Sequence, residues 1–188
     1  MPQPRPMTPR AVSGAPSVER FEAIGGEVPT VLYEAQGFLL TAWKNFAINV
    51  WSARATVAFA AKLDEHSATF VKSHPEGVSA IHIISANTPL PDADVREMLK
   101  KLTDKYAKSI ACVSHVVEGS GFWASALHSF LTGLHYASRA PFELYIGSTV
   151  SAGARRLVEP HARRTGVKIK TEEIESVMSA ARRRAGLA

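Results

Sequence analysis

The stretch of sequence that most suggests chemistry is HVVEGSGFWASALHSF, from His115 to Phe130. It passes from an apolar, strand-like run into a helix-like run across Glu118, Gly119, Ser120 and Gly121. Junctions of this kind form the nucleophile elbow of hydrolases, loops that wrap phosphate, and dinucleotide-binding turns. Each of these sites requires its own spacing of glycines and reactive residues.

The spacing at the junction fits none of the three sites. A nucleophile elbow has glycines two positions to either side of the serine, but Gly119 and Gly121 are the immediate neighbours of Ser120. A phosphate loop ends in Gly-Lys-Ser or Gly-Lys-Thr, and the junction contains no lysine. Ala124 stands where the third glycine of a dinucleotide fingerprint would lie. We therefore predict a turn in which the glycines permit positive φ and Ser120 caps a helix.

The histidines and the cysteine do not form a metal-binding pattern. His128 and His135 lie two turns apart on the helix after the junction, about 10 Å along its axis, which is too far to bind one metal unaided. They belong to a polar stripe that we interpret as a solvent-facing or partner-facing edge: Ser125, His128, Thr132, His135 and Arg139. Cys112 is the single cysteine, so a disulfide within the chain and a cysteine-based zinc site are both excluded. We expect neither a metal nor a cofactor.

An enzyme would have to use Ser120 or Glu118 at the junction. Such a site needs a basic partner within hydrogen-bonding distance of Ser120, and the nearest options in the sequence are His82 and His115. Both histidines lie inside strand-like runs, which disfavours that role. We therefore predict a protein that is not an enzyme.

The elements that must position these residues alternate between strands and helices. A hairpin over Val31–Glu34 and Phe38–Trp43 opens the pattern, and a long helix capped by Asn49 follows it. Strands and helices then alternate, and the chain ends with a possible edge strand over VKIK and a helix from Thr171. The order predicts an α/β fold with a mixed, mostly parallel sheet, namely a β-hairpin followed by αβαβαβα, with an additional C-terminal helix.

Length and charge define the predicted domain and its ends. A chain of 188 residues suits a single α/β domain, expected at 28–165, after a disordered tail rich in Pro and Arg at 1–25. Residues 166–188 are expected to form a basic C-terminal extension, because nine basic residues against four Glu lie between 150 and 188. No aromatic residue is interleaved with these arginines to stack on bases, which disfavours nucleic acid or an anionic surface as a partner.

The sequence also predicts a location in the cell. The first twenty residues lack the apolar stretch of a secretory signal, and no run of about 18 apolar residues is present to span a membrane. With a single cysteine in addition, we expect a cytoplasmic protein.

Candidate binding residues follow from the predicted topology. In open α/β sheets, ligands bind beyond the carboxyl ends of the parallel strands. The residues expected there are Asn45, Asn87, Thr88, Asp92, Glu118, Ser120 and Trp123.

The first predicted helix suggests a second kind of surface. It is apolar on all sides from Val57 to Ala61, and such a helix is either deeply buried or docked on another subunit. We therefore expect a homo-oligomer, with Trp51, Val57 and Phe59 as interface candidates.

Three stretches of the chain resemble the STAS domain, the fold of bacterial anti-anti-sigma factors. They are GFLLTAW (37–43), TPLPDADVREML (88–99) and HVVEGSGFWASALHSFLTG (115–133), and the resemblance spans about residues 30–155. The chain looks most like the STAS-like proteins of delta-proteobacteria such as myxobacteria. The resemblance implies a non-catalytic module that binds protein partners or a small ligand.

Regulation by phosphorylation is not implied. The signalling members carry a phosphorylatable serine in an Asp-Ser-Ser-Gly-like turn, whereas this chain reads SANTPLPDAD there, with Ser85 and Thr88 but no such turn. Our first expectation is thus a STAS-like regulatory or scaffold module that acts through protein interaction and self-association. The alternatives are a small-molecule or lipid-binding module and, third, an enzyme that uses the junction.

Overall fold

The computed structural model describes residues 29–187, which contain six strands and five helices. The strands are β1 (Thr30–Ala35), β2 (Phe38–Trp43), β3 (Phe46–Trp51), β4 (Val78–Ile84), β5 (Ile110–Val117) and β6 (Glu143–Gly147). The helices are α1 (Val57–Ser73), α2 (Ala93–Tyr106), α3 (Gly121–Ala137), α4 (Val150–Thr165) and α5 (Thr171–Arg184). The tail predicted at 1–25 lies outside the described residues.

All six strands form one sheet in the order β1-β2-β3-β4-β5-β6. The first three strands pair in antiparallel fashion, and β3 to β6 pair in parallel. The predicted α/β class is therefore confirmed, including the opening hairpin, the mostly parallel sheet and the C-terminal helix.

The third strand, β3, is where the structure departs from the sequence prediction. Asn49, predicted to cap the first helix, lies within β3, so that prediction was wrong. Helix α1 begins later, at Val57, and its N-cap is Thr56, whose hydroxyl accepts a hydrogen bond from the backbone N–H of Phe59 at 3.2 Å. Threonine is well suited to this position because its side chain satisfies an amide that has no partner inside the helix.

One face of the sheet is packed tightly against α4 and α5. Phe46 and Ile81 of the sheet and Met178 of α5 are each 0% exposed in this core. Gly153 allows α4 to approach β5 closely, because an added Cβ there would lie 2.9 Å from Ser114 Oγ. This face is a well-packed core of the usual kind.

The C-terminal segment belongs to that core. Ile174 and Met178 of α5 are fully buried, so α5 is an integral part of the domain. The edge strand predicted over VKIK is not formed, and those residues link α4 to α5 instead. Helix α4 continues through Pro160.

Helices α1, α2 and α3 cover the opposite face of the sheet. Leu127 and Leu131 of α3 pack on Phe38 and its neighbours, and Phe59 of α1 stacks on Phe38 with 5.2 Å between the ring centroids. Among residues 29–187, no helix is both long and apolar enough to cross a membrane.

The junction that leads into α3 is a turn with two left-handed glycines. Gly119 has φ +111° and Gly121 has φ +78°, as predicted, and these conformations favour glycine. Ser120 occupies the N-cap position between them, but its hydroxyl makes no capping hydrogen bond. The predicted side-chain cap was therefore wrong, although the predicted turn is present.

Candidate ligand cavity

A cavity of about 190 Å³ lies between the sheet and helices α1, α2 and α3. We call it the α1–α3 cavity. Its walls are mostly aliphatic and aromatic, from residues such as Leu63, Phe70, Leu102, Phe130 and Val113. None of the residues between 29 and 187 that line it is Asp, Glu, Lys or Arg. The composition matches that of small-molecule sites, which are apolar with a few polar groups.

The cavity arises from the alternation of side chains along the strands. Residues 47, 49 and 51 of β3 face the α1–α3 side, whereas 46, 48 and 50 face α4 and α5. Ala47 and Ala80 are partners in the β3–β4 register and lie next to each other on the cavity side. Two neighbouring methyl groups fill less space than the larger side chains of a packed core, so the helices above them enclose a gap.

Three polar residues form a row across the floor of the cavity. Asn49, His82 and His115 are register partners on β3, β4 and β5, and all three line the cavity. Adjacent strands lie about 4.8 Å apart, so the row spans roughly 10 Å. We call these three residues the polar row.

Several polar atoms of the polar row have no hydrogen-bond partner in the described part of the protein. Asn49 is 1% exposed, and neither its Oδ1 nor its Nδ2 has a hydrogen-bond partner among the described residues. His115 Nδ1 is also buried without a partner. His82 Nδ1 accepts a hydrogen bond from Trp51 Nε1 at 3.4 Å, which leaves the proton of the neutral ring on Nε2. Buried polar groups usually have partners, so the row stands out.

The polar row is uncharged at neutral pH. Burial lowers the pKa of His82 to about 4. Burial also lowers the pKa of His115 well below its ordinary value, and the proximity of His82 adds to the effect. The two rings stack with 4.7 Å between centroids, so two positive charges there would repel strongly. His82 is surrounded by protein, and its accessible surface faces the cavity.

Two of the predicted binding residues meet at the carboxyl edge of the sheet. Trp123 Nε1 donates a hydrogen bond to the backbone carbonyl of Thr88 at 2.8 Å. Thr88 Oγ1 donates to the carbonyls of Ser85 at 2.8 Å and Trp51 at 3.3 Å, and Thr88 lines the cavity. The loop after β4 therefore closes this end of the cavity, and α3 holds the loop in place.

The other predicted residues at this edge are not gathered around the cavity. Glu118 forms an ion pair with Arg182 of α5 at 2.5 Å, and Asp92 forms one with Arg54 at 2.7 Å. Asn87 is exposed with φ +62°.

Asn45 was expected at the carboxyl edge, and that expectation was wrong. It precedes β3 and so lies at the opposite, amino edge of the parallel strands. It is buried there, and its Nδ2 donates a hydrogen bond to the carbonyl of Gly77 at 3.1 Å.

The interface candidates occupy three different environments. Trp51 is 7% exposed and faces the cavity, so it belongs to the interior of this chain. Phe59 packs on the sheet, and Val57 remains 45% exposed. Two aromatic residues of α3 are largely exposed, Phe122 at 90% and Tyr136 at 75%, and both were missed from the sequence.

The polar stripe of α3 lines a second depression. His128, Thr132 and His135 face a groove of about 420 Å³ between α3 and β6. His135, Phe142 and Leu144 line both this groove and the α1–α3 cavity, so they form the wall between the two. His135 packs on Phe142 with 5.2 Å between the ring centroids.

A buried serine–histidine pair on the opposite face resembles a catalytic dyad but has no access to substrate. Ser79 Oγ lies 2.8 Å from His161 Nδ1 and 3.1 Å from Cys112 Sγ. Ser79 is 0% and His161 1% exposed, and burial raises the pKa of the Cys112 thiol to about 11. These groups stabilise the contact between α4 and the sheet.

Ser120 does not gain the basic partner that an enzyme would need. It is exposed, and within the described part of the chain no hydrogen bond joins it to His82 or His115. A search of residues 29–187 also found no group of three or more His, Cys, Asp or Glu side chains placed to hold a metal ion.

Comparison of the chain with protein-family models, with curated proteins and with solved structures found no match.

Proposed function

We propose that the chain is a non-enzymatic binding module that holds a small, uncharged molecule in the α1–α3 cavity. The observation that carries the proposal is the cavity itself, an apolar space with unpartnered polar groups on its floor. Among the functions that the sequence left open, small-molecule binding is the one that requires such a space. A charged ligand is disfavoured because, in the part of the chain that the structure describes, no charged side chain lines the cavity to compensate for the desolvation of the ligand.

The residues around the cavity favour binding over catalysis. Activation of a hydroxyl nucleophile needs a base that is oriented by a third group. The two imidazoles on the floor are stacked on each other, and His82 is also hydrogen-bonded to Trp51. Among residues 29–187, no carboxylate lines the space to orient them.

The resemblance to STAS domains supports a regulatory setting for this binding. Helix α3 has Leu127 and Leu131 on the cavity side, and Phe122 and Tyr136 on its solvent side. A ligand that changes how α3 packs on the sheet would therefore change the surface that α3 presents to a protein partner.

Ligand binding is tested by filling the cavity. Toluene at a hundred times its dissociation constant should stabilise the wild-type protein by about 2.7 kcal/mol. In Ala80→Leu the larger side chain occupies the cavity, and we expect the toluene-induced rise in Tm to disappear. Ala58→Leu, on the exposed side of α1, is the matched control and should respond like the wild type. No rise in Tm for wild type with either toluene or phenol, or an equal rise for Ala80→Leu, would refute the proposal.

Self-association through α3 is a second candidate function, favoured by the exposed aromatics. Phe122 and Tyr136 lie seven positions to either side of Ser129, on the same side of a helix that completes almost four turns between them. An antiparallel pairing of two α3 helices about a two-fold axis at Ser129 would place Phe122 of each copy on Tyr136 of the other. Light scattering should give a dimer for wild type and a monomer for Phe122→Ser. Val57→Ser, the control on α1, should remain dimeric, and a monomeric wild type would rule this pairing out.

A further inference from the structure

The α1–α3 cavity has a polar floor, and the chemistry of that floor defines the ligand more narrowly. This step rests on the proposed function, because it concerns the same cavity. Asn49 is the central observation, since it is 1% exposed, lines the cavity and has no partner for either amide atom. A buried amide of this kind destabilises the fold through each unpaired group unless a ligand supplies the missing partner.

Unpartnered polar atoms occur on the other face of the sheet too, but their setting differs. Trp43 Nε1, Ser114 Oγ and His161 Nε2 are buried without partners there. None of these three residues lines the cavity. Asn49 differs because it lines the cavity, and neither its donor nor its acceptor has a partner among residues 29–187.

The polar row offers a matched set of donors and acceptors. Asn49 Nδ2 donates and Oδ1 accepts, and the Nε2–H of the neutral His82 ring also donates. A single hydroxyl group both donates and accepts one proton, so it can satisfy the two amide atoms of Asn49 or bridge Asn49 and His82. A carboxylate can only accept, and it would bring an uncompensated charge into an apolar space.

The volume limits the size of the ligand. A cavity of about 150 Å³ lined by apolar side chains binds benzene in another protein, and this cavity has about 190 Å³. It therefore accommodates one six-membered ring with a small substituent. Flat aromatic walls such as Phe70 and Phe130 suit a planar ring.

We propose that the α1–α3 cavity selects a single-ring aromatic alcohol of the phenol class, with the ring among the apolar walls and the hydroxyl group on Asn49 and His82. The ligand remains uncharged at pH 7, because a phenolic hydroxyl ionises near pH 10. The polar row thus acts as the specificity determinant of the site.

Phenol and toluene provide a direct test, because they share the same ring and differ only in its substituent, which is a hydroxyl group in phenol and a methyl group of similar size in toluene. Isothermal titration calorimetry at pH 7 should show at least tenfold tighter binding of phenol by the wild-type protein. In Asn49→Leu the preference should reverse, so that toluene binds more tightly. Thr41→Val is the control, because it makes a polar-to-apolar change in the same sheet away from the cavity, and it should keep the preference for phenol. Circular dichroism and Tm would establish that each variant is folded.

The outcomes separate this inference from the proposed function. Equal binding of toluene and phenol, or a phenol preference that survives in Asn49→Leu, would refute the role of the polar row and leave a ligand cavity in place. Tighter binding of benzoate than of phenol would refute the choice of an uncharged ligand. If neither phenol nor toluene binds, both the cavity function and this inference are wrong.

Discussion

Replacement of Asn49 by leucine should make the protein more stable, even though Asn49 is among its most deeply buried residues. Leucine has the same branched shape, its bulkier methyl groups can extend into the adjoining cavity, and it removes two buried polar groups that have no partner among residues 29–187. Each such group costs about 1–3 kcal/mol, and we take the lower end for both because they adjoin a cavity. The free energy of unfolding should therefore rise by about 2 kcal/mol. For a chain of 188 residues, this corresponds to a Tm increase of about 4–8 °C.

Asn45 provides the matched control for this experiment. It is buried to a similar extent, but its Nδ2 donates a hydrogen bond to the carbonyl of Gly77, and only its Oδ1 lacks a partner among residues 29–187. Asn45→Leu removes that bond and leaves the Gly77 carbonyl without it, which offsets the gain from losing Oδ1, so the free energy of unfolding should stay the same or fall by about 1 kcal/mol. Both variants can be measured by urea denaturation at pH 7. A destabilised Asn49→Leu would refute the reasoning, because it would mean that the amide of Asn49 is satisfied in the folded protein.

Three further predictions concern the rest of the fold. Burial lowers the pKa of His161 to about 4, below the value of about 6.5 in the unfolded chain. Its contribution to the free energy of unfolding is therefore complete above about pH 6.5 and is lost as the pH falls. The free energy of unfolding should be lower by about 2 kcal/mol at pH 5 for this reason. A His161 variant that unfolds with the wild-type pH slope would contradict this. Glu118→Gln should lower the free energy of unfolding by about 1 kcal/mol, because it breaks the partly buried ion pair with Arg182, and the decrease should be smaller in high salt. A decrease that does not depend on salt would contradict an ionic origin. Gly153→Ala should destabilise the protein by about 1–3 kcal/mol, because the added Cβ would lie 2.9 Å from atoms of β5. Gly133 has open space around it, so Gly133→Ala should instead stabilise α3 by about 1 kcal/mol. Chemical denaturation of these two glycine variants tests whether each substitution raises or lowers the free energy of unfolding as expected.

The order of elements was readable from the sequence because strands and helices differ in period. The strand β3 was missed for a specific reason. It is joined to β2 by the two-residue turn Lys44–Asn45, in which Lys44 adopts φ +50° without any glycine. Hairpin turns are normally recognised by glycine or by Asn-Gly pairs. In their absence, Asn49 was mistaken for a helix cap.

The candidate site was only partly predictable. Thr88 and Trp123 were found because the rule that ligands bind at the carboxyl ends of strands applies to them. The polar row was missed because it lies in the middle of the strands, where a polar residue usually indicates a solvent-facing position. Alignment of Asn49 with His82 and His115 depends on the register of three strands, and that register is set by long-range packing that no local pattern reports.

The signal that could have revealed the row is the sequence of the strands themselves. AIHII and CVSHVV each contain a histidine inside a run of apolar residues, and FAINVW contains an asparagine in the same setting. A parallel strand with a helical layer on both sides is apolar throughout. A polar residue within such a strand must therefore face a buried partner, a water or a ligand.

The two faces of the sheet have different physical roles, and the difference bears on how the module would work. The face under α4 and α5 is tightly packed around Phe46, Ile81 and Met178, and it supplies much of the stability of the domain. Because of that stability, the other face can retain a cavity and an unpaired amide that together cost about 2 kcal/mol. The total free energy of unfolding of native proteins is about 5–15 kcal/mol. A ligand that fills the cavity and pairs with Asn49 would recover this cost by joining the sheet to Leu127 and Leu131 of α3. The gain would therefore appear as firmer packing of α3, the helix that presents Phe122 and Tyr136 to solvent.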